Sequence, residues 1–157
     1  MVKLTEESKE ANKKESKINK FLKDKKAKKL EYIVAIIVNI IFLYIVNNLV
    51  NWNISFISDS FTSVLWIFNI SIIANILVNI LFLIYFKDWI KAISQIILNI
   101  LGILVVYFLY TIFPFTVSAW IAYAIKIAFI IAVIAMIIAT FVEAIRLILK
   151  YIVKIES

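Results

Sequence analysis

The sequence predicts an all-α integral membrane protein, with four transmembrane helices in an antiparallel bundle behind a basic tail. Three observations lead there. The 157 residues are 64% apolar, with a mean hydropathy of +1.02, whereas soluble domains are only about half apolar. One Gly and one Pro leave almost none of the punctuation that a soluble fold needs at its turns. The apolar residues also gather into four runs, each near the roughly 20 residues that cross a bilayer as helix.

Residues 1–30 form a separate juxtamembrane region. It holds eleven lysines against Glu6, Glu7, Glu10, Glu15 and Asp24, a net +6 of the chain's +7. Mixed charge without a small-residue cleavage site argues against a removable leader, so the first span is expected to act as targeting signal. Residues 31–157 form the transmembrane domain, with spans at about 31–50, 62–86, 92–113 and 118–142. Spans two and three are joined by only "KDWIK" (Lys87 to Lys91), which forces an antiparallel hairpin. Pro114 lacks an amide hydrogen and disfavours helix at Phe113, so "FPFT" ends the third span.

Orientation follows from the cations. The tail, the Lys87/Lys91 turn and the Arg146/Lys150/Lys154 end hold every Lys and Arg except Lys126, and the opposite loops, 51–61 and 114–117, hold none. Positive charge stays on the cytoplasmic side, so both termini are expected there. Trp52, Trp66 and Trp120 on one side and Trp89 on the other suit the two interfaces. Heavy Ile, Asn and Lys usage fits an AT-rich coding sequence, a bias that by itself raises asparagine within spans; the expected location is the cell membrane of a prokaryote.

With no Cys and no His, disulfides, thiol chemistry, Cys/His zinc sites and imidazole-ligated haem are excluded. No paired-carboxylate motif, phosphate loop or nucleophile beside a base stands in the chain, so no enzyme and no cofactor are expected.

The polar residues inside the spans are the candidates for function. Ser71, Asn75 and Asn79 recur every four residues and share one helical face. Gln95, Asn99 and Gly102 share another. Asn39, Asn75 and Asn99 each lie within about three residues of midspan, where an unpaired amide is costly, so all are expected to turn inward and bond across helices. Interhelical glue is the expected role of this node; a polar ligand or ion site is the sharper alternative.

The fourth span carries Ala124, Ala128, Ala132, Ala135 and Ala139 on one strip, ending in Glu143 and Arg146. Small residues permit close helix contact, so this strip seats the helix in its own bundle, the favoured expectation, or against a second copy through Ala128, Ala132, Ala135 and Ala139. Glu143 and Arg146, three residues apart, are expected to neutralise each other. Lys126 lies on nearly the opposite side. It is either a functional intramembrane charge or, as expected, a residue that snorkels outward beside Trp120 and Tyr123 when the span slides to about 127–149.

In the tail, Lys20, Lys23, Lys25, Lys26, Lys28 and Lys29 crowd the membrane surface, with Ile18, Phe21 and Leu22 interleaved. The cluster either docks on anionic lipid headgroups, at about 1 kcal/mol per cation, or only sets topology. No folded reader accompanies it, so nucleic acid is not an expected partner.

Known small four-helix families fit poorly. Small multidrug exporters carry a glutamate within the first span, where this chain has only Glu31 at the edge, and fluoride channels are glycine-rich. In size and charge alone the chain resembles small basic membrane proteins of the bacteriocin-immunity and holin-like kind. The sequence therefore points to a non-catalytic scaffold or accessory protein, with a small oligomeric channel or transporter as the alternative.

Overall fold

The computed structural model describes residues 29–85 and 87–153. Four helices follow one another: α1, Lys29–Asn48; α2, Leu65–Ile84; α3, Asp88–Ile112; and α4, Ala119–Val153. A 3-10 helix, Asp59–Val64, leads into α2. With it, all four are long and apolar enough to cross a membrane, and the chain is an all-α, multi-pass membrane protein. At 1.5 Å per residue the 20-residue α1 reaches about 30 Å, one hydrocarbon thickness.

The α1–α2 and α3–α4 connections meet at one end of the bundle, the loop end. There Ile57 and Phe115 form an isolated antiparallel bridge. Ser58 N donates to Pro114 O at 3.1 Å and Thr116 N to Phe56 O at 3.0 Å. Both turns use left-handed backbone. Asn53 has φ 49°, a conformation that Asn tolerates best among residues with a side chain. Phe113, φ 44°, is the left-handed cap that ends α3, its N–H donating to Leu109 O at 3.0 Å. The Phe113 carbonyl then accepts from Phe115 N at 2.8 Å, folding the chain tightly around Pro114. The 3-10 helix is capped by Ser58, whose hydroxyl accepts from Ser60 N, and carries Asp59 in its first turn, where negative charge suits the helix dipole.

The core lies beneath these loops. Val46 of α1, Phe61 and Val64 of the 3-10 helix, Ile67 and Ile72 of α2, and Val105 and Leu109 of α3 form one buried cluster. Aromatic pairs extend it, with Trp66 edge-on to Phe108 at 5.1 Å and Phe115 tilted against Phe129 at 6.4 Å. Towards the opposite, lysine end, α1 and α2 touch through Tyr32 and Phe82, whose ring centroids are 5.4 Å apart.

Helix α4 is different. No residue in its most apolar stretch is buried, and Ile130, Ile131, Ile134, Ile137 and Ile138 all stand exposed. In water such a surface would aggregate; in hydrocarbon it is an ordinary lipid-facing wall. Its helix runs on well past the expected end near residue 142. The Glu143–Arg146 ion pair lets charge continue along the helix without breaking it.

The loop-end core predicts where stability resides. Ile67→Ala, at a side chain only 1% exposed, should lower unfolding free energy in detergent by about 2 kcal/mol or more, whereas Ile134→Ala on the lipid wall should cost less than about 1 kcal/mol. Equal losses from the two substitutions would contradict a core confined to the loop end.

Candidate functional site

The intramembrane amides are placed differently from the sequence expectation. The amide nitrogen of Asn39 donates to Ala35 O at 2.8 Å, that of Asn75 to Ser71 O at 3.0 Å and that of Asn79 to Asn75 O at 2.8 Å. Each bond runs to the carbonyl one turn back on the same helix. The expected bonds across helices from Asn39 and Asn75 are thus replaced by bonds within helices. The physical reason is proximity: an Asn side chain reaches its own i−4 carbonyl without any help from tertiary packing. Ser71, Asn75 and Asn79 do share a half-buried face of α2.

The cross-helix amide pair lies elsewhere. Asn47 of α1 donates to Asn69 Oδ1 of α2 at 2.7 Å, and Asn69 returns the bond to Asn47 Oδ1 at 3.1 Å. Asn47 also donates to Leu43 O at 2.8 Å. Both residues lie away from midspan toward the loop end, so a search by depth overlooks them. The available signal is position: Asn47, followed by Asn48, stands near the end of its helix, and Asn69 stands near a helix start.

On α3, Gln95 Nε2 donates to Asn99 Oδ1 at 3.3 Å. Asn99 is 9% exposed, and its amide nitrogen is a buried donor without a partner. Exchanging the amide's oxygen and nitrogen does not help, because one of the two atoms remains unpaired either way. A buried donor left unmade carries a desolvation penalty of about 1–3 kcal/mol. Gly102, one turn on, faces α4. A Cβ there would stand 2.8 Å from Met136 Sδ, so the missing side chain lets α3 and α4 approach. Continuing that antiparallel register towards the lysine end puts Thr140 and Glu143 at the levels of Asn99 and Gln95. Thr140 bonds Met136 O at 2.8 Å.

On α4, Arg146 donates to Glu143 Oε1 at 2.8 Å; the Glu143 side chain is 22% exposed and that of Arg146 67%. Ala124, Ala128, Ala135 and Ala139 are exposed, and of the strip only Ala132 is half-buried. The expectation that the strip seats α4 in its own bundle is corrected. The half-buried face of α4 instead runs through Ile125, Phe129, Ala132, Val133, Met136 and Thr140, to one side of most of the alanines. Lys126 is also half-buried, with Nζ 5.0 Å from the Phe113 ring centroid and 5.6 Å from that of Tyr110. The rings it meets belong to the end of α3, rather than to Trp120 and Tyr123 of its own helix. Lys29 is exposed at the start of α1. Lys20, Lys23, Lys25, Lys26 and Lys28 lie outside the described residues.

Among the described residues no group of three or more carboxylates could hold a metal ion. No family model, no curated protein and no solved structure matches the chain.

The Asn47–Asn69 pair makes a direct prediction. Asn47→Leu and Asn69→Leu should each destabilise the protein in detergent by about 0.6–1.7 kcal/mol, and the double substitution should cost less than the sum. Strict additivity of the two losses in thermal unfolding would show that the amides do not act as a pair.

Proposed function

We propose that the chain is a non-catalytic scaffold or accessory protein of the prokaryotic cell membrane, which acts through its helix faces and its lysine tail. The observation that carries this reading is the fate of the polar side chains. Asn39, Asn75 and Asn79 bond their own helices, and Asn47 and Asn69 bond each other. What these helices present outward is mainly aliphatic surface, including the α4 wall and the exposed Ala124, Ala128, Ala135 and Ala139. This favours contact with lipid, with a second copy or with another membrane protein, in the manner of immunity- or holin-like proteins. The tail adds attraction for anionic headgroups.

In this reading the lysine end is cytoplasmic and both termini lie there, because Lys29, Lys87, Lys91 and Arg146 gather at that end while the loops carry Asp59. Cysteines placed at Ser8 and Ser157 should then resist an impermeant thiol reagent on intact cells, and one at the exposed Ser55 should react. Labelling of either terminus from outside reverses the orientation.

One observation favours a second reading, a small oligomeric channel or transporter: the unpartnered buried amide of Asn99. Flux through proteoliposomes decides between the two. Under the scaffold reading, ion and small-solute leakage should equal that of protein-free vesicles. Wild-type flux abolished by Asn99→Leu, with unfolding temperature unchanged or raised, would establish the channel instead.

A further inference from the structure

Beyond the functional reading above, the geometry points to a binding site for one anionic glycerophospholipid, in the groove between α3 and α4 at the loop end, with its headgroup phosphate on Lys126. The groove measures about 230 Å³ and is lined by Val106, Tyr107 and Tyr110 of α3 and by Phe129, Ile130 and Ile134 of α4, among others. Its walls are almost wholly apolar, and it opens on the lipid-facing surface: Tyr107 is 58% exposed, Ile130 48% and Ile134 51%. A slot of this lining and setting accepts part of an acyl chain.

Lys126 stands at the loop end of that slot. Its Nζ lies over Tyr110, itself a wall of the groove, and over Phe113; Phe129 and Ile130 follow it on α4 by one turn. Lys126 comes seven residues after the start of α4, about 10 Å along the axis, so its long stem carries the ammonium towards the headgroup layer. The exposed Trp120 and Tyr123 mark that layer. Phe113 is placed there by the left-handed cap that ends α3, so the backbone at the helix end positions one of the two rings.

Charge complementarity selects the occupant. Two ring faces hold the ammonium from the protein side. Among the described residues the one ion pair is Glu143–Arg146, so no carboxylate neutralises Lys126. An ammonium keeps three donors, and rings accept none of them well. An acceptor carrying net negative charge, arriving from the lipid side with an apolar chain attached, satisfies both the donors and the slot. A phosphate on an anionic glycerolipid has that chemistry; a zwitterionic lipid brings its own cation to the same place.

The test is native mass spectrometry of the full-length protein released from detergent, after mixing with phosphatidylglycerol or phosphatidylcholine. Wild type should retain one phosphatidylglycerol under activation that strips phosphatidylcholine. Lys126→Gln should weaken retention about fivefold, the loss of one headgroup–cation contact, while Lys126→Arg should keep it. Ile130→Trp, which fills the slot and leaves the cation in place, should also lose the lipid. Replacing Lys23, Lys25, Lys26 and Lys28 with Gln should leave this adduct intact. Circular dichroism melting of each variant separates misfolding from lost binding, and the wild-type lipid comparison stands even where a variant misfolds. Equal retention of the two lipids, or retention unchanged in both Lys126→Gln and Ile130→Trp, would overturn the site; so would loss confined to the tail variant.

Discussion

Hydrocarbon offers no hydrogen bonds, so each backbone and side-chain polar group at membrane depth has to find its partner inside the protein. That constraint is easily met within a helix and hard to meet where a helix ends. At the loop end two connections come together, and each solves the other's problem: the Ile57–Phe115 bridge and the bonds from Ser58 to Pro114 and from Thr116 to Phe56 pair the irregular segments. The buried cluster of Val46, Phe61, Val64, Ile67, Ile72, Val105 and Leu109 lies directly beneath this closure. The largest buried cluster thus sits at the loop end, while Gly102 against Met136 and Tyr32 against Phe82 continue the packing away from it, and the outward faces of α4 are left to the lipid.

The same constraint explains how a membrane protein can carry so many asparagines. An Asn in a helix reaches the carbonyl one turn earlier, so its amide is partly satisfied before any other helix arrives. Asn39, Asn75, Asn79, Asn47 and Asn48 all make that bond. Such residues are cheap to keep and carry little information about function. Asn99 is the informative exception, since its oxygen is engaged by Gln95 and its nitrogen is left buried without an acceptor. The Asn47–Asn69 pair is informative in another way, because it ties α1 to α2 at the level of the core residues Val46, Ile67 and Ile72.

Charge divides the protein into two ends with different work. The lysine end gathers the exposed cations Lys29, Lys87, Lys91 and Arg146. The loop end has one cation, Lys126, held between rings and beside an apolar slot. Under the proposed lipid site, a diffuse cluster would weaken with salt, whereas a seated cation beside a shaped groove would tell individual lipids apart.

The sequence by itself determined the membrane class, the number of helices and the presence of both loops at one end. These depend on local quantities: run length, hydropathy and the position of Pro114. It also determined that Glu143 and Arg146 meet, since three residues on one helix set their distance. Tertiary structure decided which faces touch. Helical periodicity puts Ala124, Ala128, Ala135 and Ala139 on a common strip, but in the packed structure the half-buried face of α4 runs through Phe129, Val133 and Met136, and these alanines stay exposed. Whether an amide bonds its own helix or a neighbour depends likewise on helix rotation and depth, which put Asn47 opposite Asn69 and leave Asn75 with Ser71. Faces and pairs arise from packing between helices, and in a uniformly apolar sequence almost any rotation satisfies the hydropathy, so only the packed structure selects one.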